Sequence, residues 1–362
     1  MNYTIKSTER PIYLQIYRQI RYDIIAEVFP YNSKLPSKRL LADELGVSII
    51  TVEHAYSLLC DEGYTESRER SGYFVIFRKT DGFASSDQAP PLPVDHKISA
   101  SSYPSFSISI LSKTMRKVLV DYYDMILDKS PNTGCSELRN AIKQYLLRNR
   151  AMNVDAEQIV IGSGAEYLYT LIVDLLGKDK IFAIELPSYD KIEKIYRTAG
   201  VTYESLPLAE DGIDSKALSI SEANVLHTTP YQSFPSGITA SASKRHEYIQ
   251  WSKKADRFII ESDYGSEFSV SSQPMETLFN LSDGDNVIYL NTFSKTISSS
   301  MRVGYMILPK KLTGVFQEKL GFYSCTVPTF EQYVLTELLN SGNFERHINR
   351  VRRNKRKELR NK

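Results

Sequence analysis

The chain has few of the residues that mark several large classes of protein. Its 362 residues include three cysteines, Cys60, Cys135 and Cys325, far apart and in no metal-ligand spacing. That excludes a disulfide framework and a zinc module; thiols so scattered suit packing in a reducing compartment. No apolar run approaches the roughly 18 residues of a membrane span. The segment Met1-Asn2-Tyr3-Thr4-Ile5-Lys6 lacks the apolar stretch of a secretory signal, so the expected location is the cytoplasm. Charge of one sign is also scarce. Lys and Arg total 45 against 43 Asp and Glu, a net charge of +2. Bulk charge therefore gives no argument for nucleic-acid binding, and such a role has to come from a local element. There is no internal repeat.

What is present is an ordinary globular composition, 42% hydrophobic and 24% charged. The length suits two or three domains. Residues 11 to about 78 are dense in helix and turn signals. The stretch 80–102 mixes small, polar and proline residues, including Pro90-Pro91-Leu92-Pro93, and reads as an extended linker. From about 103 onward, short apolar runs alternate with helical stretches, as in an α/β domain. Ile159–Ile161, Ile181–Ile184, Phe258–Ile260 and Val287–Leu290 are continuous apolar runs bounded by Gly, Asp, Ser or Pro, the pattern of buried, mainly parallel strands. Ala165–Leu176, Tyr189–Ala199 and Ser243–Ala255 read as helices between them.

In the first zone, Pro11–Ile20 has apolar residues at helical spacing. Ser37 is placed to cap a second helix that Gly46 ends, and Ser48 to cap a third with an apolar face of Val52, Ala55, Tyr56 and Leu59. Helix, glycine-containing turn and helix form the helix-turn-helix pattern. Gly63–Arg68 and Gly72–Ile76 then read as two strands about a tight turn, a wing. Leu35-Pro36-Ser37, Arg39, Leu45-Gly46-Val47-Ser48, Thr51-Val52, Ala55-Tyr56, Glu62-Gly63 and Ser71-Gly72 resemble the GntR-type winged helix over nearly the whole module. The resemblance implies that the helix opening at Ser48 enters the major groove while phosphate contacts set its register. It makes Ser37, Lys38, Arg39, Ser48, Thr51, Arg68 and Arg70 the DNA-contact candidates. The family often has an arginine directly after the serine; here Ile49 stands there, placed to pack on a thymine methyl, and Glu53 nearby would repel phosphate. A winged helix used only for protein contacts is the alternative.

In the second zone, Ser294-Lys295-Thr296 lies in a hydroxyl-rich loop after an apolar run, and Arg302 follows seven residues later. A lysine can form a Schiff base with an aldehyde, and hydroxyls with an arginine suit a phosphate. Taken alone, such a loop is usually just solvated. Four further segments also follow strand-like runs, where α/β folds place ligands. They are Gly162-Ser163-Gly164-Ala165, Pro187-Ser188-Tyr189, Thr229-Pro230-Tyr231-Gln232, and Glu261-Ser262-Asp263-Tyr264. In this order they resemble the fold-type I aminotransferases. Joined to the winged helix, they are similar to the MocR subgroup of GntR-family regulators over about residues 11–360.

That resemblance implies an α/β fold: a winged helix at 1–79, a linker at 80–102, and a large aminotransferase-like domain with a mainly parallel sheet at 103–345. The cofactor it implies is pyridoxal 5'-phosphate, with Lys295 as the Schiff-base lysine. Ser163, Gly164, Ala165, Ser294 and Arg302 would hold the phosphate. Tyr189 would stack on the ring, Tyr264 would donate to its phenolic oxygen, and Gln232 lies in the loop approaching that oxygen. Lys191 is the candidate for an effector carboxylate. The subgroup has an acid two residues before the tyrosine as partner of the pyridine nitrogen; here it is Ser262. Either Asp263 reaches in after a local twist, or the ring is weakly protonated. The basic stretch 346–362 is expected to be a linking helix at the start of a truncated C-terminal domain; contact with DNA is its alternative.

Three functions remain open on these residues: a regulator, a homodimer on operator DNA, sensing an amino compound through the cofactor; an aminotransferase with a fused DNA-binding module; and a fragment with a vestigial cofactor site. The winged helix favours the first over the second, and Ser262 leaves transaminase activity weak or absent.

Overall fold

The computed structural model describes residues 11–78, 106–254, 256–270 and 276–360. The expected linker at 80–102 lies outside them. The chain divides into two compact units, Met1–Ile98 and Ser99–Lys362.

The first unit comprises α1 (Ile12–Ile25), α2 (Lys38–Leu45), α3 (Ile49–Asp61), β1 (Thr65–Arg68) and β2 (Gly72–Val75). Its boundaries follow local chemistry. Ser37 Oγ accepts from Leu40 N and Ser48 Oγ from Thr51 N, each satisfying a helix-start donor that has no partner in its own helix. Gly46 closes α2 in the left-handed region at φ +65°, which glycine adopts without penalty. Val52, Ala55, Tyr56 and Leu59 pack with Ile16, Ile20 and Leu41 into one small core. Tyr56 OH donates to Pro36 O at 2.9 Å, tying α3 to the turn before α2. The strands pair antiparallel with Arg68 opposite Gly72, the expected wing.

The second unit opens with α4 (Ile108–Asp121) and α5 (Ser136–Arg150). There follow β3 (Ile159–Gly162), α6 (Ala165–Leu176), β4 (Phe182–Leu186), α7 (Asp190–Ala199), β5 (Tyr203–Ala209), β6 (Gly212–Ile213), α8 (Ser215–Ile220) and β7 (Val225–Thr228). Then come α9 (Ala242–Ser252), β8 (Phe258–Asp263), α10 (Leu278–Leu281), β9 (Val287–Thr292), β10 (Gly304–Ile307), α11 (Lys310–Leu320), α12 (Thr329–Asn340) and α13 (Asn343–Arg360). The sheet order is β3-β10-β9-β8-β7-β4-β5-β6. The central strands β9, β8, β7, β4 and β5 run parallel, while β10 is antiparallel to both its neighbours.

The central strands β4, β7, β8 and β9 open with continuous apolar runs because both sheet faces are covered. Ile259, Val287, Tyr289 and Tyr305 face one core, shared with Tyr145 of α5, Val334 of α12 and Phe344 of α13. Ile260, Ile288, Leu290 and Met306 face the other, shared with Leu168 of α6, Tyr196 of α7 and Phe316 of α11. This alternation decides which side chains of β8 can meet, and it governs the site described below. One boundary differs from expectation. α13 begins at Asn343, so a division at 345/346 would cut a continuous helix. Phe344, Ile348 and Val351 are buried in the first core. Each contributes about 1.5–3 kcal/mol of burial. The helix is therefore packed along one face rather than exposed all round; Arg346, Arg350, Arg353, Arg356 and Lys357 are exposed, while Arg352 and Lys355 are half-buried. Among the described residues no helix is long and apolar enough to cross a membrane.

Candidate functional site

In the first unit, the N-terminus of α3 presents Ser48, Ile49 and Ile50 at the surface. Ser48 Oγ and Thr51 Oγ1 lie 2.8 Å apart, so both hydroxyls are held at the helix start. Lys38 Nζ forms an ion pair with Glu53, which brings α2 and α3 together and offsets the acid expected to repel phosphate. Arg39 is exposed. In the wing, Arg68 lies over the Phe74 ring at 4.2 Å and donates to Asn32 Oδ1 at 3.0 Å. Arg70 occupies the hairpin turn with φ +57°.

In the second unit, Lys295 lies just past β9. Its Nζ donates to Tyr264 O at 3.2 Å and sits 4.5 Å from the centre of the Tyr264 ring, which joins the ends of β8 and β9. Gly265 leaves room for it: at φ +101°, a Cβ here would fall 2.9 Å from Lys295 Cδ and Cε. Gly164 plays the same part at the start of α6. Its φ is +95°, and a Cβ would fall 2.9 Å from Arg302 Nη2. No side chain caps α6, so its first N–H groups stand open beside the Arg302 guanidinium, an arrangement suited to an anion. Ser163 N donates to Thr326 Oγ1 at 3.1 Å, and Ala165 is the first residue of the helix. Ser294 Oγ donates to Met301 O at 3.2 Å, closing the loop that carries Lys295.

Tyr189 precedes α7, exposed, with the Phe234 ring at 6.3 Å and Lys191 Nζ 5.9 Å from its centre. Gln232 is exposed in the loop after β7 at φ +48°, its N–H donating to Thr239 Oγ1 at 3.1 Å. A lysine amine, an arginine beside an uncapped helix start, and aromatic rings at strand ends fit a flat aldehyde bearing a phosphate. Two glycines in positions that would clash if they carried a Cβ support that fit.

The ends of β8 correct one expectation. Asp263 does not turn towards Ser262; the strand keeps its regular alternation, which sends neighbouring side chains to opposite faces. Asp263 Oδ2 accepts from Arg150 Nη2 at 3.2 Å and from Tyr289 OH at 2.7 Å, in the core beneath α5. Glu261 lies on the same face and accepts from Leu278 N at 2.8 Å and Phe279 N at 2.9 Å, while burial pushes its carboxyl up to about 8. Ser262 points the other way. Its Oγ is 2.9 Å from Tyr169 OH and 2.8 Å from His227 Nε2, and His227 Nδ1 is 2.7 Å from Tyr196 OH. Burial lowers His227 to about 3, so the imidazole is neutral.

Sequence reasoning missed His227, Tyr169 and Tyr196. They sit inside apolar strand and helix patterns, and only the pairing of β7 with β8 brings them to Ser262. It also missed Glu166, whose carboxylate bridges Arg302 Nη2, at 3.0 Å, and Lys191 Nζ. The candidates for phosphate and effector are thus joined by one acid on the first turn of α6. Arg150, the last residue of α5, gave no sequence signal of its burial beside Asp263.

The geometry defines a two-module chain: a winged helix-turn-helix, and an aminotransferase-type α/β unit with a lysine at the strand ends. Comparison with known proteins agrees. Residues 123–362 match the aminotransferase class I and II family, and residues 12–75 match the bacterial regulatory proteins of the gntR family. The chain belongs to the MocR subgroup of GntR-family regulators, which combine these two modules. It is 31% identical over 366 residues to the HTH-type transcriptional regulator YdeL of Bacillus subtilis, covering 98% of this chain and 78% of that protein. It is 26% identical to the probable rhizopine catabolism regulatory protein MocR of Rhizobium meliloti, with 96% and 76% covered. It is 27% identical to the pyridoxine biosynthesis regulator PdxR of Corynebacterium glutamicum, with 94% and 75% covered. Among solved structures, an archaeal alanine:glyoxylate aminotransferase shares the fold with a TM-score of 0.62 at 24% identity, covering 68% of this chain and 64% of that one. The Pyrococcus horikoshii kynurenine aminotransferase also gives 0.62 at 24%, with 70% and 66% covered. The chain thus spans about two thirds of these aminotransferases' length.

Proposed function

We propose that the chain is a DNA-binding transcription regulator that senses an amino compound through pyridoxal 5'-phosphate held at Lys295. The observation that carries this reading is the Lys295 amine, held at Tyr264 O and cradled by Gly265, in one chain with a helix-turn-helix whose recognition helix is capped and exposed. Bound there, the cofactor supplies an aldehyde that primary amines capture.

The remaining roles belong to the chain's own groups. The start of α6, with Ser163, Gly164 and Ala165, and Arg302 anchor the phosphate, with Ser294 shaping the loop that carries Lys295. Tyr189 covers the ring, Tyr264 and Gln232 line its phenolic side, and Lys191 receives an effector carboxylate. Arg302 and Lys191 both contact Glu166, so either ligand group competes with that acid. In the first unit, Ser48, Thr51 and Arg39 face the groove, and Ser37, Lys38, Arg68 and Arg70 contact phosphates. The working form is a homodimer in the cytoplasm. The exposed apolar residues Ile108, Leu119, Val120, Tyr123 and Leu127 of the α4 region offer it a surface.

The test is absorption of the purified protein with added pyridoxal phosphate. A band near ~420 nm, absent in Lys295→Ala, is the Schiff-base signature. An amino compound that removes this band should also change the protein's affinity for DNA. A band without any DNA binding, together with turnover of amino and keto acids, would favour an aminotransferase. No band in the wild type would refute the cofactor reading.

A further inference from the structure

The polar cluster beneath the end of β8 has no place in the account above. Ser262, His227, Tyr169 and Tyr196 form one hydrogen-bonded chain in an otherwise apolar core. All four are buried. Such a chain is costly to assemble unless every member is satisfied, and its protons can be counted. Tyr196, neutral His227, Ser262 and Tyr169 carry four polar hydrogens for three internal contacts. In one arrangement Tyr196 OH donates to Nδ1, Nε2–H donates to Ser262 Oγ, and Tyr169 OH donates to the same Oγ. The Ser262 hydroxyl hydrogen then remains for an acceptor outside the chain.

The position of Ser262 says what that acceptor is. Ser262 lies two residues before Tyr264, on which the Lys295 amine rests. Its partner Tyr169 lies on α6, whose start carries the anion corner at Gly164 and Arg302. The ends of β3, β8 and β9 and the start of β10 lie at one edge of the sheet, so Ser262, Lys295 and the Gly164–Arg302 corner share that edge.

Every buried acid near the strand ends lies elsewhere. Glu261 is held by the start of α10, Asp263 by Arg150 and Tyr289, and Glu267 by Asn291, all on the opposite face. Glu185 accepts from Thr228 Oγ1 and Thr229 N. Glu166, on the first turn of α6, has one oxygen on Arg302 and the other on Lys191. No carboxylate of the described residues hydrogen-bonds to the Ser262 chain.

We infer that Ser262, held by His227 and Tyr169, donates a neutral hydrogen bond to the cofactor's pyridine nitrogen and keeps that nitrogen unprotonated. The inference rests on the cofactor reading above. It makes Ser262 a specificity determinant: an unprotonated ring is a poor sink for electrons from a bound amine, which favours holding an amino compound over converting it. His227 and Tyr169 are positioning residues that aim the serine hydroxyl.

The test is 15N NMR of the full chain loaded with pyridoxal phosphate labelled at the pyridine nitrogen. The wild type should show the resonance of an unprotonated, hydrogen-bonded pyridine. Ser262→Ala should move it further from the pyridinium position, to that of a pyridine without a donor. Ser262→Asp should move it to the pyridinium position. A pyridinium resonance in the wild type would overturn the inference, as would a resonance unchanged by Ser262→Ala. The wild-type spectrum decides even where the aspartate variant does not fold. Absence of the ~420 nm band would instead overturn the cofactor reading itself, and this inference with it; a band with a protonated nitrogen overturns the inference alone.

Discussion

Replacing Arg150 by methionine should destabilise the second unit by several kcal/mol while leaving the winged helix intact. Arg150 and Asp263 form a buried ion pair at 3.2 Å, with side chains 4% and 6% exposed. At an effective dielectric constant near 20, two unit charges at that separation attract by about 5 kcal/mol. Removing one member of a buried pair costs about 3–5 kcal/mol, because the other charge is left uncompensated. Asp263 would keep only Tyr289, since its Oδ1 has no hydrogen-bond partner among the described residues. Glu267, raised by burial and by the charge of Asp263, would lose the same cation.

Urea unfolding followed by Trp251 fluorescence reads the effect cleanly. Trp251 is the chain's sole tryptophan and is buried in the second unit. Adding Asp263→Asn should restore at least about 2 kcal/mol, since the amide needs no counter-charge. Equal losses in the single and double variants would show that Arg150 acts through packing alone and refute the electrostatic account.

Two other outcomes follow from the same core and site. Gly164→Ala forces a side chain into φ +95° and against Arg302. The backbone strain costs about 1–3 kcal/mol, or several degrees in Tm, and affinity for pyridoxal phosphate should fall at least about tenfold, as the absorption titration reads; undiminished affinity would remove Gly164 from the phosphate site. Glu261 holds its proton up to about 8 in the folded state, far above the unfolded carboxyl. Stability should therefore fall as pH rises from about 5 to 8, by at most about 1.4 kcal/mol per pH unit, and Glu261→Gln should flatten that slope; a slope unaffected by the substitution would place its origin elsewhere.

The fold was legible where its causes are local. Ser37 and Ser48 cap helices because a hydroxyl just before an apolar-periodic stretch meets open N–H groups, and both do so here. Gly46 turns the chain because it alone accepts φ +65° without strain. Continuous apolar runs marked β3, β4, β8 and β9, since a sheet covered on both faces has no polar side. The order of motifs was legible as well; in the structure Gly164 lies against Arg302, and Gly265 lies against Lys295.

Tertiary structure decided the rest. Which way Asp263 and Ser262 point depends on the register of β8 between β7 and β9, a matter of strand partners far away in sequence. Only that pairing sets His227 against Ser262 and Tyr289 against Asp263, giving one face a neutral hydroxyl chain and the other a buried ion pair. The same holds for α13. Its charged sequence reads as a solvated linker, but Phe344, Ile348 and Val351 recur at helical spacing and are buried because a core stands ready for them. The sequence determines the local conformations and the chemistry on offer. The long-range pairings decide which of those groups share a dry space, and there alone a proton or a charge acquires the energy that makes its position matter.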